Sequence, residues 1–309
     1  MPIMQPYRIK TIREYHQILG ISKPEHPLIS VINQNEYKPL SSNKQISVVF
    51  DFYIISLTRD SSGNVKYSYG QQQYDFDEGT MLFMAPGQVF SFEADEDFKT
   101  SGWMLLIHPD YLWNTALAKA IKQYEYFSYW VHEALHLSEK EETMVSGLIQ
   151  NVSQEYHSNI DKFSQDVIIA QLELLLTYAE RFYQRQFITR KISNHKILDR
   201  LEGLLTSYFN SDALLKKGLP TVQYIAETLN VSPNYLSGLL KMLTGRSTLQ
   251  HIQDKLIDKA KEKLSTTVLS VSEIAYELGF EYPQSFSKLF KTKTNLSPLE
   301  FRQSFNLQT

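Results

Sequence analysis

The 309-residue sequence contains no cysteine, which excludes disulfides and thiolate metal sites and agrees with a reducing compartment. No run approaches the roughly 18 continuous apolar residues of a membrane-spanning helix. The amino terminus, MPIMQPYRIKTIREYHQ, lacks the apolar core of a signal peptide, so a soluble, cytoplasmic protein is expected. Histidine is absent from residues 46 to 107, where strand-forming residues are densest. A metal held by several imidazoles on adjacent strands is thereby excluded, and no cofactor is implied.

A basic surplus is missing too, since the net charge is −3. The charge is uneven, however. Residues 205–309 hold 12 Lys and Arg against 9 Asp and Glu, leaving 19 against 25 for residues 1–204. Any polyanion-facing surface therefore belongs at the carboxyl end.

That end carries the clearest pattern. In VSEIAYELGFEYPQSFSKLFKTKTNLSPLEFR, from Val271 to Arg302, the apolar Val271, Ile274, Ala275 and Leu278 follow helical spacing up to Gly279. A turn then leads to Pro283, which opens a second helix whose Phe286, Leu289 and Phe290 face the first. This is a helix-turn-helix. The outward residues of its second helix are Gln284, Ser285, Ser287, Lys288 and Lys291, a set suited to a negatively charged groove.

The pattern is repeated about fifty residues earlier, from Val222 to Ser247. Ile225, Ala226, Leu229 and Val231 match Ile274, Ala275, Leu278 and Phe280, while Leu236, Leu239, Leu240 and Lys241 match Phe286, Leu289, Phe290 and Lys291. Asn230 stands where the second copy has Gly279, and Asn295 where the first has Gly245. Asparagine best replaces glycine at a left-handed backbone position, so all four sites are expected to be left-handed. Ser232-Pro233 and Ser297-Pro298 each read as a helix cap followed by proline at the first helical position.

Two such units, joined by a helix using Leu249, Ile252, Leu256, Ala260 and Leu264, closely resemble the DNA-binding domain of the AraC/XylS family of transcription regulators. Ile274-Ala275, Gly279-Phe280, Phe286, Phe290-Lys291, Ser297-Pro298 and Phe301-Arg302 carry the resemblance. Asn295, Gly238 and Leu240 depart from the family pattern. The resemblance implies two recognition helices entering the major groove of double-stranded promoter DNA about 34 Å apart on one side of the duplex. Expected DNA-binding residues are Asn234, Tyr235, Ser237, Lys241 and Arg246 in the first unit, and Gln284, Ser285, Ser287, Lys288, Lys291 and Lys293 in the second. Gln284 suits adenine, whereas Arg246, Lys291 and Lys293 suit phosphates. The family further implies a homodimer, a contact with RNA polymerase and, in most relatives, activation.

Upstream, residues 1–42 are broken by Pro24, Pro27 and Pro39 and show no clear pattern. The run ISVVFDFYIISLTRD from Ile46 is β-rich, a turn is expected at Ser61–Asn64, and further strands are expected at 73–76, 80–85, 89–92 and 101–107. Many short strands suggest a barrel or sandwich. Gly79, the Pro86-Gly87-Gln88 turn and Trp103 to Pro109 resemble the cupin-like sensor half of AraC-family members. Tyr53, Tyr67, Phe83, Phe92 and Trp103 either fill the core or enclose a small effector, with His108 as a further candidate.

His132-Glu133-Ala134-Leu135-His136 is a literal H-E-x-x-H, which on a helix would bind zinc and support hydrolysis. Ser138 followed by Glu139, Glu141 and Glu142 instead places a helix start after His136. Two helices follow, the second with Ile168, Leu172, Leu175, Ala179 and Phe182 along a broad apolar face that serves either its own core or a dimer contact. The expected fold is α+β. A cupin-like sensor and dimerisation domain spans 1–188, with the barrel at about 46–110 and helices at about 138–188. A linker at 189–193 leads to an all-α DNA-binding domain over 194–309, with helix-turn-helix units at about 221–243 and 271–293 and the joining helix at about 248–264. The expected function is that of a sequence-specific regulator, not an enzyme, which senses an effector or simply dimerises; the alternative of another class is a zinc hydrolase.

Overall fold

The computed structural model describes residues 6–36, 42–60, 79–94, 100–130, 133–189 and 191–306. The chain separates into two compact units, 1–186 and 187–309.

The first unit contains β1 (Tyr7–Ile9), α1 (Ile12–Leu19), β2 (Ile29–Asn33), β3 (Ser42–Phe50), β4 (Tyr53–Asp60), β5 (Thr80–Met84), β6 (Val89–Ala94) and β7 (Thr100–Ile107). Then come α2 (Leu117–Ala120), β8 (Leu135–His136), α3 (Glu139–Tyr156) and α4 (Ser164–Thr189), which runs past the boundary between units. The strands form two sheets, β1-β3-β6 and β2-β7-β4-β5-β8. Because alternate side chains of a strand take opposite faces, β4 serves two cores. Ile54 joins Ile32, Leu106, Val48 and Phe50 between the sheets, together with Ile12, Tyr15 and Leu19 of α1. Tyr53, Ile55 and Leu57, also buried, point the other way. There Tyr53 packs edge-on against Phe127 at 5.2 Å, and Phe83 of β5 lies 4.6 Å from the ring of Tyr126.

Several elements had no clear sequence signal. The first 42 residues hold β1, α1 and β2. Helix α1 is capped by Thr11, whose side chain accepts from Glu14 N, and ends at the left-handed Gly20. The β-rich run from Ile46 is two strands, broken where Asp51 N donates to Ile9 O at 3.0 Å. The expected turn at 61–64, the strand at 73–76 and Tyr67 lie outside the described residues, as does the side chain of Phe92.

Helix α3 begins where its acidic first turn indicated, and Glu141 reaches back to accept from Ser138 N at 2.9 Å. The H-E-x-x-H run does not form the helix turn that zinc chemistry requires. Leu135 and His136 form a strand paired with β5, and the buried Glu133 accepts from Trp130 N at 2.7 Å. His132 lies outside the described residues.

The second unit is helical: α5 (Lys191–Phe209), α6 (Ala213–Lys217), α7 (Val222–Leu229), α8 (Pro233–Thr244), α9 (Thr248–Thr266), α10 (Val271–Glu277), α11 (Pro283–Thr294) and α12 (Pro298–Asn306). Helices α7 and α8 form the first helix-turn-helix, and α10 and α11 the second. Phe286 and Phe290 are fully buried, with Phe280 at 5.5 Å from Phe286 and Phe301 at 5.5 Å from Phe290. Burial of each such ring contributes on the order of 2–3 kcal/mol.

Asn230, Gly245, Gly279 and Asn295 all have left-handed backbones, with φ of 60°, 71°, 81° and 62°. Their residue types follow from local room. A Cβ on Gly279 would lie 3.1 Å from Gly218 Cα and 3.2 Å from Leu214 O, whereas a Cβ on Gly245 meets nothing within 4 Å. Asparagine is therefore accommodated at the Gly245 type of site, where the second copy carries Asn295, and excluded at Gly279 itself, although the first copy carries Asn230 at the matching position.

Gly245→Asn should shift stability by less than about 0.5 kcal/mol, and Gly279→Asn should destabilise by about 2 kcal/mol or more in urea unfolding; equal effects would contradict the crowding argument. A second expectation concerns pH. His16 is buried, with Nδ1 2.6 Å from Ser22 O and Nε2 2.9 Å from Ser30 Oγ, so Nδ1 donates to the carbonyl and Nε2 accepts from the hydroxyl. Desolvation by burial lowers its pKa below the ordinary 6.5, against a smaller raising effect of the Ser22 carbonyl, and burial lowers His26 likewise. The unfolded chain then binds a proton more readily, so stability is full above about pH 6.5 and falls as pH drops below it. Urea titrations between about pH 7 and pH 5.5 should show this loss, with a smaller slope in His16→Gln.

Candidate nucleic-acid interface

The two helix-turn-helix units present their second helices with different surfaces. Helix α11 opens with Pro283 after Tyr282 and contains no acidic residue. Gln284, Lys288 and Lys291 are exposed at spacings of four and three, so they share one face, with the exposed Ser285 beside Gln284. Ser287 is half-buried. Lys293 is also half-buried, and its Nζ lies 3.0 Å from Asp254 Oδ1 on α9.

Helix α8 opens under a Ser232 cap whose side chain accepts from Tyr235 N at 3.2 Å. Asn234 and Lys241 are exposed on it, seven residues and about two turns apart. Tyr235 departs from the sequence expectation, being only 6% exposed with its ring packed edge-on at 5.1 Å from Phe187. Four residues before the buried Leu239, it lies on the flank of the apolar stripe and serves packing. Ser237 likewise turns toward α9, its Oγ 3.1 Å from Thr248 Oγ1. Arg246, just beyond the helix, is exposed and bonds Asp254 Oδ2 at 2.9 Å.

The first unit thus offers Asn234 and Lys241, and the second offers Gln284, Ser285, Lys288 and Lys291. The positive surface is heavier on α11. Asp254, which touches a cation from each unit, was absent from the sequence-derived set. Its signal was an acid on an otherwise polar face of the joining helix, indistinguishable by type from its neighbour Asp258.

Caps hold the units in place. Glu273 and Glu300 each reach back to a serine N–H, at 2.7 Å to Ser270 and 2.7 Å to Ser297. Backbone and then side-chain hydrogen bonding to those serines holds both carboxyls below the usual range. His251 of α9 lies 2.9 Å from Thr244 Oγ1 of α8, and burial lowers its pKa ahead of the opposing influence of Asp254.

In the first unit, three of the four expected effector residues share one face of the larger sheet, and His108 lies beyond β7. Tyr53 and Phe83 belong to the aromatic cluster on the outer face of the larger sheet. Trp103, paired with Leu57, shares that parity. His108 follows β7 and accepts from Asp110 N at 3.2 Å. Aromatic character had indicated burial without indicating the face. The face between the sheets carries polar groups instead, at positions sharing parity with Ile54. Gln34, 2% exposed, places Nε2 at 2.8 Å from Ser56 Oγ and 3.1 Å from Thr58 Oγ1. Thr80 pairs across from Thr58, and its buried hydroxyl has no hydrogen-bond partner among the described residues. These hydroxyl and amide positions lack the periodicity that marks a core.

The expected dimer residues are also reassigned. Ile168, Leu172, Leu175 and Phe182 are 3%, 0%, 0% and 5% exposed and fill the core of their own chain. Apolar residues exposed along this region include Ile160, Phe163, Val167, Leu174 and Ile188.

Residues 48–174 match the family model of the AraC-like ligand binding domain, and residues 225–304 match that of a helix-turn-helix domain. An HTH-type transcriptional regulator from the cgkA 5′ region of Pseudoalteromonas carrageenovora is 29% identical over 116 residues, 38% of this chain and 64% of that protein. The arabinose operon regulatory protein of Escherichia coli is 37% identical over 78 residues, 25% of this chain and 27% of its own length. The lactose operon transcription activator of Staphylococcus xylosus is 22% identical over 84% of this chain and 86% of its own. The chain therefore spans less than two thirds of the first two relatives. Among the described residues, no helix is long and apolar enough to cross a membrane.

Replacement of Tyr235 by Ala should destabilise the second unit by about 3 kcal/mol, as loss of a buried ring does, while Lys241→Ala should stay within about 0.5 kcal/mol. Chemical denaturation of the two variants separates packing from surface, and a neutral Tyr235→Ala would place that ring on the surface after all.

Proposed function

We propose that this chain, which belongs to the AraC/XylS family of regulators, binds promoter DNA sequence-specifically through α8 and α11 and acts in the cytoplasm as a non-enzymatic regulator of transcription. The observation that carries this reading is the acid-free face of α11, where Gln284, Lys288 and Lys291 are exposed together. Gln284 reads adenine through a bidentate amide pair, and Lys288 and Ser285 contact neighbouring base edges. Lys241 and Lys291 hold phosphates and Asn234 is the base reader of the first unit, while Arg246 and Lys293, paired with Asp254, border the interface. Tyr235 and Ser237 support the reading helix from behind.

The first unit senses a small hydroxyl-bearing effector at the polar end between its sheets, where Gln34, Ser56 and Thr58 form a hydrogen-bonded group and the Thr80 hydroxyl offers an unused donor. Two relatives regulate arabinose and lactose operons, which favours a sugar-like ligand. Homodimerisation through Phe163, Val167 and Leu174, and activation by contact with RNA polymerase, complete the reading.

Selection from a random duplex library, read by sequencing, tests the DNA assignment. A bipartite site should be enriched. Gln284→Ala should relax one position by about 1–3 kcal/mol, and Lys291→Ala should weaken all sequences alike, with a salt slope smaller by about 0.9. A library that emerges unenriched at low salt, from the whole protein and from residues 187–309 alike, would overturn the reading.

A further inference from the structure

The carboxylate of Asp254 divides its two oxygens between the two helix-turn-helix units. Oδ2 accepts from Arg246 Nη1 at 2.9 Å, just past the carboxyl end of α8, and Oδ1 accepts from Lys293 Nζ at 3.0 Å, in the last turn of α11. We propose that Asp254 is a positioning residue that fixes the distance between the two recognition helices, and so the spacing of DNA half-sites that this protein accepts. The inference rests on the DNA-binding reading above and goes beyond it, because it assigns spacing selectivity to one side chain on a helix with no part in base reading.

Among the described residues, the other polar ties of α9 reach one unit or neither: Lys259 bonds Asn210, just past α5. Thr248 bonds Ser237, and His251 bonds Thr244, both on α8. Lys263 holds Glu277 of α10 at 2.6 Å, and Leu264 O accepts from Arg302 Nε of α12 at 3.1 Å. Asp254 meets both units at once, at the same level of α9. Sharing one carboxylate brings the two cations within about one Debye length, ~8 Å at physiological salt, so their repulsion is felt if the anion is removed. The carboxylate thus acts as a tie between like charges at the ends of two reading helices. Its loss leaves the buried apolar contacts of α9 intact while releasing both tips. Lys293, 24% exposed, is the more confined partner and Arg246, 61% exposed, the more mobile. The first unit's end is therefore the one expected to drift.

The test uses the full chain and duplexes carrying the selected half-sites with spacers varied in single base pairs. The readout is the ratio of Kd at a spacing one base pair away to Kd at the preferred spacing. The wild type should prefer one spacing by tenfold or more. Asp254→Asn should reduce that ratio at least fivefold, with melting temperature and circular dichroism retained and with a salt slope steeper by up to about two counterions, as two cations become available to phosphates. Asp254→Glu should restore most of the ratio. If Asp254→Asn does not fold, Arg246→Ala and Lys293→Ala carry the test, since general loss of phosphate affinity cancels in the ratio and each should flatten it. A ratio unchanged in the Asn variant, or in both cation variants, overturns the proposal while leaving DNA binding standing, as does a wild type indifferent to spacing. A wild type that binds no duplex overturns the DNA-binding reading itself.

Discussion

Burial of one face of α9 is the constraint on which the second unit depends. Ile252, Leu256, Ile257, Ala260 and Leu264 are all buried, while the opposite side of the helix carries charges. Each helix-turn-helix is too small to enclose a core alone; α7 and α10 have only eight and seven residues. Against the common apolar stripe of α9, both gain a floor. Polar ties along the rim then fix the angle at which each second helix stands. Rigidity of that kind suits recognition, since a reading helix displaced by a fraction of a base step loses its hydrogen bonds.

The first unit obeys a different rule. Its larger sheet is buried on both faces, so strand alternation divides two apolar sets rather than separating apolar from polar. Helical and 3-10 segments bearing Tyr126, Phe127 and Tyr183 cover one face, and the smaller sheet covers the other. Gln34, Ser56, Thr58 and Thr80 interrupt the second set. A group of buried hydroxyls and an amide between sheets costs desolvation, which hydrogen bonding within the group largely offsets.

Much of the second unit was legible in its sequence, because helix-turn-helix spacing, the Ser-Pro caps and the left-handed Asn and Gly positions are local and repeated. The same locality limited the reading. Periodicity separates apolar from polar sides but leaves flanking positions undecided, which is why Tyr235 and Ser237 read as surface residues although one packs on Phe187 and the other bonds Thr248. In the first unit, composition announced strands without their facing. Tyr53, Phe83 and Trp103 share the face of the larger sheet opposite Ile54, and Ile168, Leu172, Leu175 and Phe182 are internal. Asp254 illustrates the remaining gap, because its two partners lie 8 and 39 residues away and meet only through tertiary packing.

The unequal room around Gly245 and Gly279 bears on how far the repeat has remained modular. The open site tolerates a side chain, and its counterpart in the other copy carries one; the crowded site lies against Gly218 and Leu214, at the end of α6. The second copy's turn is wedged against that short helix. The two halves have therefore ceased to be exchangeable parts: a chimera that placed the first unit's sequence in the second position would bring Asn230 into a slot built for hydrogen alone. The short element between α5 and α7 gives the second copy a steric requirement of its own.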